Sequence, residues 1–287
     1  MARIVYVNGE YVREDQARVS IFDRGYLFGD GAYEVIPVLE GQLVDVERML
    51  ARLDNSLAAL GIEWPMDKDA YVEMHRELIR RNALVEGMIY SQVTRGVAER
   101  DFAFPRRALP SVIAFTKTLS IIDNPRAETG VSVAFVEDLR WKLRSVKSIA
   151  LLAQVLAKEQ AVEKHAFEGW MVEDGHVTEG TSSSAYIVKD GTIITHPLEG
   201  GHILPGIRRS VLLEIAEKEG IPVDLRPFTP EEAQNADEAF ASAATFGVLP
   251  VVEIEGRPVG NGEPGPITRR LRQAYLDHAL AQVRAAD

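Results

Sequence analysis

Short apolar runs broken by turn residues open the chain. Ile4-Val5-Tyr6-Val7 and Tyr11-Val12 flank Asn8-Gly9, a pair that tolerates the positive φ of a two-residue hairpin turn, so the first segment is predicted to be a hairpin. A second strand pair is expected over Ala32 to Val38 and Leu43-Val44, turning at Glu40-Gly41. The period then changes. Val46, Met49, Leu50, Leu53, Leu57 and Leu60 recur at three and four residues, which predicts an amphipathic helix capped by Asp45 and ended by Gly61. A further helix is expected over Lys68 to Arg81. Strands follow at Met88 to Thr94 and Ser111 to Thr116, joined by the loop Ala98 to Pro110.

Leu119 to Gly130 is punctuated by Asp, Asn, Pro and Gly and reads as a linker. Its centre, residues 121–127, separates a predicted N-terminal domain (1–120) from a C-terminal one (128–287). The second half begins with a strand, Val131 to Glu137. A stretch rich in Arg and Lys, Arg140 to Lys147, leads into a helix expected from Ser148 to about Lys164. Two hairpins are predicted, turning at Asp174-Gly175 and Asp190-Gly191. A helix should run from Gly206 to Gly220, with Pro222 just beyond. Thr229-Pro230-Glu231-Glu232 has the form of a capping box with Pro at the first helical position. A strand at Glu238 to Ala243 and a last helix opened by Gly265-Pro266 complete the chain. The fold class is mixed α and β, with many antiparallel hairpins instead of the regular strand–helix alternation of a doubly wound sheet.

Composition narrows the chemistry. The 287 residues are 46% hydrophobic and 26% charged, an ordinary globular balance. A formal net charge of −11 makes nucleic acid and anionic membrane surfaces poor partners, so an anionic substrate would need a local basic site. The absence of cysteine excludes disulfides, zinc–thiolate sites and a thiol nucleophile. The N-terminal segment turns polar by Asn8, unlike a signal peptide, and the apolar stretch Ile149 to Ala157 is too short to span a bilayer. A cytoplasmic protein is expected.

Four features carry candidate chemistry. Lys147 stands beside an apolar run, where desolvation would make its amine a usable nucleophile; the plainer alternative is a solvated lysine at a helix start. Glu179, in Thr178-Glu179-Gly180-Thr181-Ser182-Ser183-Ser184, could bond a ligand nitrogen or be an exposed turn residue. The serines beside it lack the Gly-x-Ser-x-Gly elbow of a hydrolase. Gly206-Ile207-Arg208-Arg209 opens a helix whose free N–H groups and dipole favour an anion, although any helix start has these properties. Arg100, flanked by Phe102 and Phe104, could grip a carboxylate or merely pair with Asp101. His196 and His202 lack clustered carboxylates and give weak grounds for a metal, so none is expected. An amine, a carboxylate, an anion cradle and a loop arginine together match the needs of a phosphate-bearing pyridinium cofactor.

Read together, these segments resemble the fold-type IV pyridoxal-phosphate family, and within it the D-amino-acid transaminases. The match rests on Phe22-Asp23-Arg24-Gly25-Tyr26-Leu27-Phe28-Gly29-Asp30-Gly31-Ala32-Tyr33-Glu34-Val35, on Arg52-Leu53, on Lys147 with Leu151-Leu152, and on Thr178 to Ser183. The resemblance implies a small N-terminal α/β domain and a larger C-terminal pseudo-barrel domain, in a homodimer. It implies that Lys147 holds pyridoxal 5′-phosphate as a Schiff base and shuttles the proton, and that Glu179 pairs with the pyridine nitrogen. It assigns the phosphate to Arg52 and the N–H of Ile207, with Arg208 and Ala244 at positions where threonines are common, and it packs Leu204 on the ring. Tyr33 and Arg100, the latter from either subunit, would meet the substrate. Phe102 stands where a histidine commonly assists that arginine, and Ser184 where asparagine is common. The implied reaction is ping-pong transfer of the amino group of a D-amino acid such as D-alanine or D-glutamate to pyruvate or 2-oxoglutarate. A branched-chain L-amino-acid transaminase, an (R)-amine transaminase and an aminodeoxychorismate lyase share the scaffold and remain alternatives; a non-catalytic cofactor carrier has no need of Glu179.

Overall fold

The structure is a computed structural model and describes residues 2–285. The chain divides into two compact units. The first takes the residues through Leu119, together with Val146–Ala150 and the chain from Ala279; the second takes Ser120–Ser145 and Leu151–His278.

In the first unit the chain runs through β1 (Ile4–Val7), β2 (Glu10–Arg13), α1 (Arg24–Phe28), β3 (Gly31–Leu39), β4 (Gln42–Leu43), α2 (Val46–Leu60), α3 (Lys68–Asn82), β5 (Gly87–Thr94) and β6 (Ser111–Thr118). The six strands form one antiparallel sheet in the order β2-β1-β6-β5-β3-β4. Asn8-Gly9 and Glu40-Gly41 both take positive φ at each residue, the geometry that matches strand twist in a two-residue turn. The apolar stripe of α2 is buried as its spacing predicts, through Met49, Leu50, Leu53 and Leu57, and packs on β3. Asp45, however, does not cap α2. It sits in the left-handed region with no side-chain cap bond, and its Oδ1 instead accepts from Gln282 Nε2 at 3.0 Å.

The second unit contains α4 (Arg126–Thr129), β7 (Val131–Glu137), α5 (Leu152–Glu163), β8 (Glu168–Glu173), β9 (His176–Gly180), β10 (Ser184–Lys189), β11 (Thr192–Thr195), α6 (Ile207–Lys218), β12 (Val223–Leu225), α7 (Pro230–Gln234), β13 (Glu238–Ala243), β14 (Gly247–Ile254) and β15 (Arg257–Pro258). The final helix α8 (Pro266–Ala285) begins in it. Its nine-stranded sheet runs β12-β11-β10-β13-β14-β7-β8-β9, with β15 on β14. Trp170, Phe228, Val177, Ile187, Leu249 and Val251 lie in its core. The capping box at Thr229 is formed in both directions, with Glu232 N donating to Thr229 Oγ1 and Thr229 N to Glu232 Oε2.

The helix expected from Ser148 begins only at Leu152. Residues 146–150 are irregular instead and bridge β3 at Ser148 and Ala32: Tyr33 N donates to Lys147 O at 3.0 Å and Ile149 N to Gly31 O at 3.1 Å. Backbone pairing with a strand edge thus satisfies donors and acceptors that a helix would have satisfied internally.

Candidate active site

Lys147 belongs to the first unit. Its backbone is fixed on both sides, by the bond from Tyr33 N and by its own N–H donating to Ser56 Oγ of α2 at 3.2 Å. The side chain is half-buried, and Nζ lies 4.2 Å from the centroid of the Tyr33 ring. Tyr33 in turn stacks on Tyr90, with ring centroids 5.3 Å apart. Lys147 is therefore neither solvated nor at a helix start.

Arg52 projects from α2 and meets Glu34, the residue after Tyr33. Its Nε and Nη2 reach the two carboxylate oxygens at 2.8 and 2.6 Å, and Glu34 is fully buried. A fork-to-fork pair of this kind fixes the orientation of the guanidinium. Glu34 is not among the residues singled out from the sequence, although a carboxylate at the centre of a buried strand is itself a signal that a cation must lie opposite.

The loop after β5 is braced by a second buried charge cluster. Asp30 accepts from Arg24 Nε at 2.7 Å and from Arg95 Nε and Nη2 at 2.8 and 3.0 Å. Burial pushes the Asp30 carboxyl up, but the two guanidiniums outweigh it and hold it below the usual carboxylate range. Arg24 Nη1 also anchors the loop, donating to Asp101 O at 2.6 Å, while Arg95 lies 3.6 Å from the Phe104 ring. Phe104 is thus occupied by Arg95, whereas Arg100 lies over Phe28 and Phe102. Arg100 makes no ion pair with Asp101 among the described residues; the Asp101 carboxylate accepts from Ala103 N at 3.1 Å.

In the second unit Glu179 is buried, not exposed in a turn. Its Oε1 accepts from Leu204 N at 2.9 Å and from Arg140 Nη1. Arg140 holds Asp138 with its other edge, at 2.9 and 2.7 Å, and Thr178 Oγ1 donates to the same carboxylate at 2.7 Å. Burial works against the Arg140 charge, yet its two carboxylates raise its pKa further. Burial likewise pushes Asp138 up, and the Arg140 bonds more than reverse it. Arg144 extends the network to Glu173 at 2.6 and 2.7 Å. In the sequence, Arg140 and Arg144 are visible only as part of a basic stretch, and Asp138 only as the residue before it.

The start of α6 is also buried. Gly206 is its N-cap residue and offers no side-chain cap, and a Cβ there would come within 2.9 Å of Ser184 Oγ. Ile207, Arg208 and Arg209 are buried, so the two arginines are not a solvated pair. Arg208 donates to the Tyr275 hydroxyl, and Arg209 Nη2 to His196 O at 2.8 Å. Ala244 lies half-buried in the turn between β13 and β14. The hydroxyls after Glu179 serve another carboxylate: Thr181, Ser182 and Ser183 all donate to the buried Glu168. Among the described residues no group of three His, Asp or Glu is arranged to hold a metal ion, and no helix is long and apolar enough to cross a membrane.

In the first unit a fixed half-buried lysine and an oriented arginine suit an aldehyde and a phosphate; in the second a buried carboxylate suits a pyridine nitrogen, and an N-cap with no side chain of its own suits an anion. The model of the amino-transferase class IV family matches residues 31–254. The chain belongs to that family. It is 42% identical over 274 residues to a D-alanine aminotransferase of Staphylococcus aureus (strain MSSA476), covering 94% of this chain and 96% of that protein. It is 38% identical over 280 residues to a D-alanine aminotransferase of Bacillus licheniformis, covering 97% and 98%. Among solved structures it resembles a T.th. branched-chain amino acid aminotransferase with pyridoxamine 5′-phosphate, with a TM-score of 0.89, 25% identity and coverage of 96% and 94%. The chain is therefore a fold-type IV aminotransferase that uses pyridoxal 5′-phosphate.

Proposed function

We propose that this aminotransferase moves the amino group of a D-amino acid, of the D-alanine or D-glutamate type, to a 2-oxo acid such as pyruvate or 2-oxoglutarate. The observation that carries this reading is the near full-length similarity to D-alanine aminotransferases at 38% and 42% identity. It is supported by Arg100, which lies on aromatic rings in a braced loop with no carboxylate partner among the described residues.

Pyridoxal phosphate, when bound, supplies the electron sink for the carbon that loses its proton. Lys147 would hold the cofactor through Nζ and, once released by substrate, its amine would serve as base and then acid for the proton at the substrate Cα. Tyr33 beneath the ammonium limits the directions Nζ can take. Glu179 is assigned the proton of the pyridine nitrogen, and its position is supported by Leu204 N and Arg140. Leu204 is assigned to pack on the ring. Arg52, oriented by Glu34, takes the phosphate together with the N–H groups of Ile207 and Arg208, and Ala244 can contribute only backbone. The Arg208 guanidinium is engaged by Tyr275, which favours a role through its N–H. Arg100 takes the substrate carboxylate, with Phe102 lying against the arginine.

A homodimer in the cytoplasm accompanies this reading. Leu152, Val155, Leu156 and Val162 of α5 are exposed in the single chain, as a covered face would require. The test is a single-turnover survey of the purified holoenzyme with D-alanine, L-leucine and (R)-1-phenylethylamine, following loss of the visible cofactor band. D-alanine is expected to bleach it fastest. Bleaching by L-leucine alone would assign the branched-chain reaction instead.

A further inference from the structure

Arg100 differs from the other arginines of its neighbourhood in what holds it. Arg24 and Arg95 spend their N–H groups on Asp30 and on backbone carbonyls, and Arg52 spends two of its own on Glu34. Among the described residues Arg100 makes no hydrogen bond or ion pair; its guanidinium carbon lies 5.5 Å from the centroids of both Phe28 and Phe102. The two rings touch each other, with centroids 5.5 Å apart at a tilt of 45°. Phe28 closes α1 and is also met by Arg24, whose guanidinium carbon lies 4.7 Å from its ring centroid. Phe102 lies between Asp101 and Ala103, whose carbonyls Arg24 Nη1 holds at 2.6 and 3.4 Å. One buried arginine therefore braces both, packing on the Phe28 ring and holding the backbone on either side of Phe102.

Ring faces attract a guanidinium without using its N–H groups, which point outward in its plane. A carboxylate or histidine partner would take some of those donors. We infer that Phe28 and Phe102 are positioning residues that hold Arg100 in one presentation with its donor edge intact, so that the arginine meets the substrate carboxylate already oriented. Phe102, at the place where a second donor is common, replaces that donor by orienting the first. The inference rests on the assignment of Arg100 to the substrate carboxylate.

Two readouts test it on the holoenzyme. Phe28→Leu and Phe102→Leu each remove a ring face and keep an apolar side chain. In protein labelled with isotopic arginine, the Arg100 side-chain signals, assigned by their loss in Arg100→Lys, are expected to carry an upfield ring-current shift that shrinks in both variants. KM for D-alanine should rise about threefold in each, as expected for one exposed cation–ring contact, with kcat within about twofold of wild type. In an Arg100→Ala background, Phe102→Leu should raise KM no further. The inference is overturned if the Arg100 signals are the same in wild type and both leucine variants, or if Phe102→Leu keeps its full effect without Arg100. Should wild type leave D-alanine unchanged, the functional assignment falls, and the ring-current shift still decides whether the rings hold the arginine.

Discussion

Arg140 is the residue on which the buried charge network of the second unit depends. One guanidinium serves two buried carboxylates, Asp138 and Glu179, that are 2 and 39 residues away in sequence. Removing the cation while leaving both acids in place is the costly way to break a buried pair. Arg140→Gln is expected to lower stability by about 3 kcal/mol in urea unfolding, and Arg140→Lys by clearly less; an unchanged midpoint would mean that the network relaxes without it. Nothing local in the sequence announces this role, because the deciding partner, Glu179, arrives from another strand. Lys147 and Glu179 are candidates in the sequence, each with a plainer alternative as a surface residue. Their joint assignment still required the resemblance, because separate short patterns do not state which residues serve one chemistry.

Elements with their own punctuation are legible in the sequence. The hairpins at Asn8-Gly9, Asp174-Gly175 and Asp190-Gly191 turn where expected, with positive φ at both residues of each pair. The capping box of α7 is present as well, and Thr229→Ala should cost about 1 kcal/mol in thermal or chemical unfolding, against a few tenths for Thr229→Gly. No loss in Thr229→Ala would show that the threonine hydroxyl is not what caps the helix. The misread elements are those set by tertiary pairing. The helix expected from Ser148 starts late because Lys147 to Ile149 pair with β3. β14 is hidden in the sequence because Pro250 interrupts it, and a proline counts against a central strand. The structure accommodates it since pairing with β7 begins only at Val251, one residue later. Asp45 has the right type for a cap and the wrong backbone, a distinction that no residue identity records.

At the scale of the molecule, acid stability follows from groups buried in one charge state. His75 is fully buried between Tyr71 O, at 2.7 Å from Nδ1, and Ser91 Oγ, at 3.1 Å from Nε2. Burial lowers its pKa from 6.5 to about 4. The unfolded chain therefore binds a proton that the folded one refuses, and stability must fall as pH drops from about 6.5 to about 4, by roughly 3 kcal/mol. Below that window Asp30 and Asp138, whose folded pKa values are depressed, lose their contribution in turn. His75→Gln should flatten the profile between pH 6.5 and 4 and leave the fall below it; an identical slope in the variant would assign that window to other groups. The central claim concerns a single amine, and reduction of the holoenzyme with borohydride followed by peptide mass mapping tests it most directly. The cofactor mass is predicted on the peptide containing Lys147, and the Lys147→Ala protein should retain none. Cofactor fixed to a different lysine, or retained by Lys147→Ala, would contradict the account.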